Sequence, residues 1–108
     1  MAGDVYKNIY KMIEEIKKLI ELQQQLTKQA VDIYKQEVDE IIRSKTTNDN
    51  KIQLTLDYML SFCFDDQMLL LYKKLCRYYW DLNPQATADY INYYREMWDE
   101  ESEKEEKE

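Results

Sequence analysis

The sequence predicts an all-α fold in which a long N-terminal helix packs against a unit of three shorter helices, as a dimeric helical bundle. Three observations predict this fold. The 108 residues include one Gly and one Pro, so signals for strand turns are scarce. Leu, Ile, Lys, Glu, Gln and Tyr fill the long segments, a composition typical of helices. Apolar residues also recur at helical spacing from Val5 to Ile42.

The first helix is predicted over residues 4–44, with Asp4 as its N-cap. Its apolar stripe consists of Val5, Ile9, Met12, Ile16, Ile20, Ala30, Tyr34, Val38 and Ile41. Gln23 and Thr27 interrupt this face, so the helix either continues through a polar segment or breaks there. No Gly or Pro lies nearby, which favours a continuous helix.

The segment from Ser44 to Asn50 is rich in loop-forming residues, and Asn48 or Asp49 can cap the helix that follows. This second helix is predicted over residues 51–64. Its expected buried face consists of Ile52, Leu56, Met59, Leu60 and Cys63. Asp65 and Asp66 then supply an acceptor and negative charge for the start of a third helix.

The third helix is predicted over residues 66–81, and apolar residues cover more than half of its circumference. We therefore expect it to be central, with neighbours on at least two sides. Asn83 followed by Pro84 marks the next boundary, because Asn is a good N-cap and Pro fits the first helical position. The fourth helix is predicted over residues 84–99.

The predicted lengths indicate a partner. Helices of about 13–16 residues span roughly 20–24 Å each, so together they shield about half of a first helix that is about 55–60 Å long. An uncovered apolar stripe favours association. We expect two copies of the first helix to pair in antiparallel orientation with two-fold symmetry. A different partner protein is the alternative.

Charge is concentrated at the end of the sequence. Residues 96–108 hold eight acids and two bases, which is −6 of the net charge of −7. The remaining body is nearly neutral, which argues against a nucleic-acid-binding protein and against a DNA mimic. We expect one domain over residues 1–99 and a disordered or frayed acidic tail over residues 100–108.

Composition also excludes the common catalytic systems. There is no His, so Ser-His and Cys-His nucleophiles are absent and most transition-metal sites are disfavoured. Adjacent carboxylates point away from each other around a helix, and no Gly-rich phosphate loop is present. We predict no enzymatic activity, no cofactor and no metal site.

Cys63 and Cys76 are expected to be small buried residues without a disulfide. The sequence has no apolar run long enough to span a membrane, and its first residues do not resemble a secretory signal. These observations favour a cytoplasmic protein that does not enter a membrane.

Three groups of residues are candidates for function. The first is the candidate interface, which joins the early part of the stripe to an aromatic face of the fourth helix: Val5, Ile9, Met12, Ile16, Ile20, Tyr90, Tyr94 and Trp98. The second is a basic ridge that could meet phosphate or an acidic partner: Lys73, Lys74 and Arg77. The third is a possible ligand pocket lined by Phe62, Phe64, Tyr72 and Tyr79. For the aromatic face, packing in the core is the competing interpretation.

The sequence therefore favours a small protein–protein interaction module, acting as a subunit, adaptor or inhibitor through the apolar stripe and the aromatic face. The alternative is an accessory or regulatory protein linked to nucleic acid, either encoded by a mobile element or acting as a mimic through its acidic tail. Tyr, Trp and Met are enriched in protein interfaces, which supports the first hypothesis.

Overall fold

The fold is entirely helical over the residues that the structure describes. A computed structural model describes residues 2–99, and within that range there are four α-helices and no strand. The helices are α1 (Ala2–Arg43), α2 (Asp49–Leu60), α3 (Asp66–Trp80) and α4 (Pro84–Trp98). This confirms the all-α prediction. The predicted tail over residues 100–108 lies outside the described residues.

Helix α1 is continuous through the polar segment that interrupts the stripe. Thr27 Oγ1 donates a hydrogen bond of 2.8 Å to the Gln23 carbonyl one turn earlier, so the polar side chain is satisfied by the helix itself. The prediction of a continuous helix is confirmed. Asp4 lies within the first turn of α1 and not at the predicted N-cap. In the first turn its negative charge interacts favourably with the positive end of the helix dipole.

The end of α1 is a Schellman motif. The Thr46 N–H donates to the Ile41 carbonyl and the Lys45 N–H donates to the Ile42 carbonyl, both at 3.2 Å. Lys45 has a φ of 55°, the left-handed conformation that this motif requires at its C′ position. A residue with a Cβ is strained there. The connection to α2 then occupies residues 44–48.

Helix α2 ends earlier than predicted. Asn48 Oδ1 accepts the Lys51 N–H at its start, as expected for an N-cap. At its end, residues 61–64 form turns instead of the predicted last helical turn. The N–H groups of Phe62 and Cys63 donate to the Met59 and Leu60 carbonyls three residues earlier, at 3.0 and 3.2 Å, so α2 ends in tighter turns. Asp65 then adopts the extended backbone (ψ of 132°) of the α3 N-cap.

The other two caps match the sequence pattern. Asp65 accepts the Met68 N–H at 3.0 Å, and Asn83 accepts the Ala86 N–H at 3.0 Å. Pro84 occupies the first turn of α4, where no N–H is needed. Three residues therefore separate α3 from α4, which is short enough to form an antiparallel helical hairpin.

The chain divides into two compact units, Met1–Ala30 and Val31–Glu108. Unit 1 contains the first part of α1, and every residue from Gly3 to Leu26 is exposed. Unit 2 contains the remainder of α1 and the other three helices. Its fully buried side chains include Val38, Ile41, Ile52, Leu56, Met59, Met68, Leu75 and Tyr79.

Helix α3 is central within unit 2, because it packs against both α2 and α4. Its buried residues are Met68, Tyr72, Leu75, Cys76 and Tyr79. Four of the five residues of the predicted α2 face, Ile52, Leu56, Met59 and Leu60, are buried on α2, together with Thr55. The fifth, Cys63, is buried too but lies in the turns that follow α2. Across residues 2–99, no helix combines the length and the apolar character needed to cross a bilayer.

Candidate association surface and groove

The apolar stripe of unit 1 is exposed along its whole length. Five of its side chains retain between 46% and 58% of their accessible surface: Val5, Ile9, Met12, Ile16 and Ile20. Tyr6, Ile13, Leu19 and Leu26 widen the same face and are equally exposed. We call these nine residues the α1 stripe. In unit 2 the later members of the helical pattern, Val38 and Ile41, are completely buried.

Acidic and basic residues are equally numerous around the α1 stripe. Between Gly3 and Leu26, four acids (Asp4, Glu14, Glu15 and Glu21) balance four bases (Lys7, Lys11, Lys17 and Lys18). Lys17 Nζ lies 3.7 Å from Glu14 Oε1, and both side chains are well exposed, so this pair contributes little to stability. The surface around the stripe is therefore neutral as a whole.

Tyr90 belongs to the core of unit 2, which corrects its assignment to the candidate interface. Only 6% of its surface is exposed. Its single hydroxyl proton is shared between Asp57 Oδ1, at 2.8 Å, and the Gln53 carbonyl, at 3.2 Å. The Tyr72 hydroxyl donates to the Tyr90 carbonyl at 2.6 Å. Burial, and then the bond to Asp57, raises the pKa of Tyr90.

Tyr94 and Trp98 are half-buried and also make contacts within unit 2. Trp98 Nε1 donates to the Leu60 carbonyl at 2.8 Å, and the rings of Trp98 and Phe64 pack edge to face with centroids 5.6 Å apart. The rings of Tyr94 and Tyr72 are 6.3 Å apart. The polar atom of Trp98 is therefore satisfied inside the fold, as is usual for a half-buried tryptophan.

The predicted basic ridge separates into two parts. Lys74 Nζ forms an ion pair of 3.1 Å with Asp39 Oδ1, which joins α3 to the later part of α1 within unit 2. Lys73 and Arg77 instead line a groove between α3 and α4, together with Arg95. Sequence reasoning missed Arg95 because it lies 18 or more residues further along the chain.

The groove has a volume of about 770 Å³. Its apolar part is formed by Leu69, Tyr72, Cys76, Trp80, Ile91 and Tyr94, and its polar part by Lys73, Arg77, Asp81, Thr87, Arg95 and Asp99. The sequence contains a pattern that predicts the groove. Residues spaced by four along α3 form one row and residues spaced by four along α4 form another, and the two rows come together because Asn83 and Pro84 turn the chain back.

The ligand pocket considered from the sequence is not assembled as expected. Of its four predicted lining residues, Tyr72 is in the groove, whereas Tyr79 is completely buried. The Tyr79 hydroxyl donates to Asp49 Oδ1 and accepts from Gln53 Nε2. Because Tyr79 and Asn83 donate to the Asp49 carboxylate, the pKa of Asp49 is lowered.

Both cysteines are free thiols inside unit 2. Burial raises the pKa of Cys63 and of Cys76 to about 12. A thiol with so high a pKa is a poor nucleophile at neutral pH. Among residues 2–99, no group of three or more Cys, Asp or Glu side chains could hold a metal ion.

Comparison of this chain with protein families, with curated proteins and with solved structures finds no match.

Proposed function

We propose that this protein is a helical association module and that the α1 stripe pairs with the same stripe of a second copy. The observation that carries this proposal is the exposure of the nine stripe residues over consecutive turns of one helix. At about 1.5 Å per residue, the segment from Val5 to Leu26 presents about 33 Å of apolar face.

Burial of this face on association supplies the driving force. Contiguous apolar patches of this kind are uncommon on monomeric proteins and often mark interaction sites. Each large apolar side chain that leaves water contributes roughly 1.5–3 kcal/mol when it is fully buried. The entropy lost on association offsets part of that gain. An interface built from several such side chains can still be favourable.

The charges around the α1 stripe do not oppose self-association. The four acids and four bases between Gly3 and Leu26 cancel, so two copies of this segment carry no net charge that would repel them. If two α1 helices run antiparallel with Ile16 of one level with Ile16 of the other, residues equally far from Ile16 in sequence lie at the same height.

The apolar residues follow the same symmetry. In this alignment Met12 is level with Ile20, and Ile13 with Leu19. Tyr6 is level with Leu26. A surface that complements itself in this way forms a closed two-fold interface, which limits assembly to a dimer. Gln23, level with Ile9, and Thr27, level with Val5, are polar residues on this face, and a polar residue in a seam can fix the register of helix pairs.

The test replaces the residue at the predicted centre. Ile16→Glu places two negative charges together in the dimer, and like charges in contact cost several kcal/mol. We expect the wild-type chain to sediment at twice the chain mass at concentrations from about 1 to about 100 micromolar. We expect Ile16→Glu to weaken the dimer by at least about 100-fold.

Gln25→Glu is the matched control. It introduces the same charge nine residues later, which is two and a half turns away and therefore on the opposite side of α1. We expect it to sediment like the wild type. Ellipticity at 222 nm confirms that both variants remain helical. A wild-type monomer throughout the range, or a dimer that Ile16→Glu leaves intact, contradicts the proposal.

A further inference from the structure

The groove between α3 and α4 has the size and the lining of a ligand site. Its volume of about 770 Å³ lies within the range of roughly 300–1,000 Å³ that is usual for small-molecule sites. Such sites are mostly apolar and contain a few polar groups that orient the ligand. Leu69, Tyr72, Trp80 and Ile91 provide the apolar surface here.

Three cationic side chains converge on this apolar surface. Lys73 and Arg77 are one turn apart on α3, and Arg95 lines the groove from α4. None of the ion pairs found among residues 2–99 involves these three residues, whereas the neighbouring Lys74 is paired with Asp39. Two carboxylates, Asp81 and Asp99, also line the groove, which leaves it with one net positive charge.

We propose that this groove binds a small organic anion with an apolar, preferably aromatic, body. The anionic group would lie near Lys73 and Arg95, because bonds between ionised partners are the strongest that these side chains form. The apolar body would lie against Trp80 and Ile91. Aromatic ligands are favoured because edge-to-face and offset contacts with Tyr72, Trp80 and Tyr94 add to simple burial.

Other anionic occupants match the groove less well. Three cations give weak binding to a nucleic acid backbone at physiological salt. The acidic residues 100–108 follow directly after Asp99, but they include no apolar side chain. They would complement the cations while leaving the apolar surface of the groove uncovered. The combination of cations with aromatic rings therefore selects an amphiphilic anion.

A pair of fluorescent probes tests the proposal on the full chain. 1-Anilinonaphthalene-8-sulfonate carries an anionic sulfonate, and N-phenyl-1-naphthylamine has the same aromatic body without that charge. We expect saturable binding of the sulfonate probe to one site. Lys73→Gln and Arg95→Gln should each weaken it by at least about threefold, and the double variant by at least about tenfold.

The controls distinguish probe binding in the groove from a general effect of positive charge and from probe binding at the α1 stripe. Lys74→Gln combined with Arg43→Gln removes two positive charges outside the groove and should leave the affinity of the sulfonate probe unchanged. The uncharged probe should bind the wild type and the Lys73→Gln/Arg95→Gln variant equally. Ile16→Glu should not reduce the binding that depends on Lys73 and Arg95.

Three results would overturn the proposal. One is a sulfonate probe that does not saturate. Another is an affinity that the two groove substitutions do not lower. The third is an equal loss for both probes in a variant whose ellipticity at 222 nm is unchanged, since the loss would then not depend on the anionic group. A chain shortened to end at Asp99 should bind the sulfonate probe at least as tightly as the full chain, and weaker binding would assign the anion contact to the tail.

Discussion

The Tyr90 hydroxyl donates a hydrogen bond of 2.8 Å to Asp57 Oδ1, and this bond joins α4 to α2. The Tyr90 carbonyl accepts the hydroxyl of Tyr72 from α3. One residue therefore connects the three short helices of unit 2 through polar bonds, while its ring is buried among them. Such bonds between helices that are distant in sequence help to select one arrangement of the core.

Replacing Tyr90 with Phe should destabilise unit 2 measurably. The substitution keeps the ring but removes the donor to a charged acceptor, and we expect the free energy of unfolding to fall by about 1–2 kcal/mol. Urea denaturation followed by circular dichroism at 222 nm measures the change. Tyr93→Phe is the matched control, because Tyr93 is about half exposed and packs against Tyr90 through its ring.

Equal stability of the Tyr90→Phe and wild-type chains would show that the bond to Asp57 is exchanged for water without cost. A loss of similar size in Tyr93→Phe would mean that removal of an exposed hydroxyl from α4 has the same effect, and the loss could not then be assigned to the bond with Asp57.

The two thiols should make unit 2 sensitive to alkaline pH. Their pKa is about 12 in the folded chain and near the usual value of 9.0 when they are exposed. Above about pH 9 the unfolded chain therefore loses thiol protons that the folded chain retains. The free energy of unfolding should fall as pH rises from about 9 to about 12, and this contribution is fully present below pH 9.

The Cys63→Ala/Cys76→Ala variant should show a shallower decline over the same pH interval. Part of the slope should remain, because burial also raises the pKa of Tyr72 and Tyr90. Denaturation at a series of pH values measures both slopes. Identical slopes in the two chains would mean that the thiols titrate alike in the folded and unfolded states.

Replacing Lys45 with Gly should stabilise the protein. Lys45 is the only non-glycine residue with a positive φ within the described range. Gly adopts this conformation without a steric cost. We expect the free energy of unfolding to rise by about 0.5–1 kcal/mol, measured by urea denaturation.

Lys45→Ala separates backbone strain from the lysine side chain, because alanine removes the charge but keeps the Cβ. It should give no comparable gain. If both variants are equally stabilised, the cost at this position comes from the lysine side chain and not from the backbone.

The sequence predicts local structure well here. The caps at Asn48, Asp65 and Asn83, the Pro84 boundary and the continuity of α1 depend on residues within one or two turns, so they can be predicted without the fold. The end of α2 is the exception. Residues 61–64 have no Gly or Pro to stop a helix, yet the N–H groups of Phe62 and Cys63 bond to carbonyls three residues earlier and the α-helix ends there.

The functional surfaces are harder to predict, because they depend on residues distant in sequence. The aromatic pattern of α4 does not distinguish Tyr90, which is buried, from Tyr93, which is exposed. The groove requires Lys73 on α3 and Arg95 on α4 to line the same site. Neither residue is unusual in the pattern of its own helix. Only the pairing of α3 with α4 brings them to one site.

By itself, the sequence determined four amphipathic helices and one apolar stripe along the first of them, interrupted at Gln23 and Thr27, because helical periodicity and capping act over a few residues. The tertiary structure decided which members of that stripe are shielded: Val38 and Ile41 are buried, whereas Ile9 and Ile16 remain in water. The physical reason is that burial depends on which distant side chains come into contact. Residues of the same type and spacing therefore look alike in the sequence, whether they become buried or stay exposed.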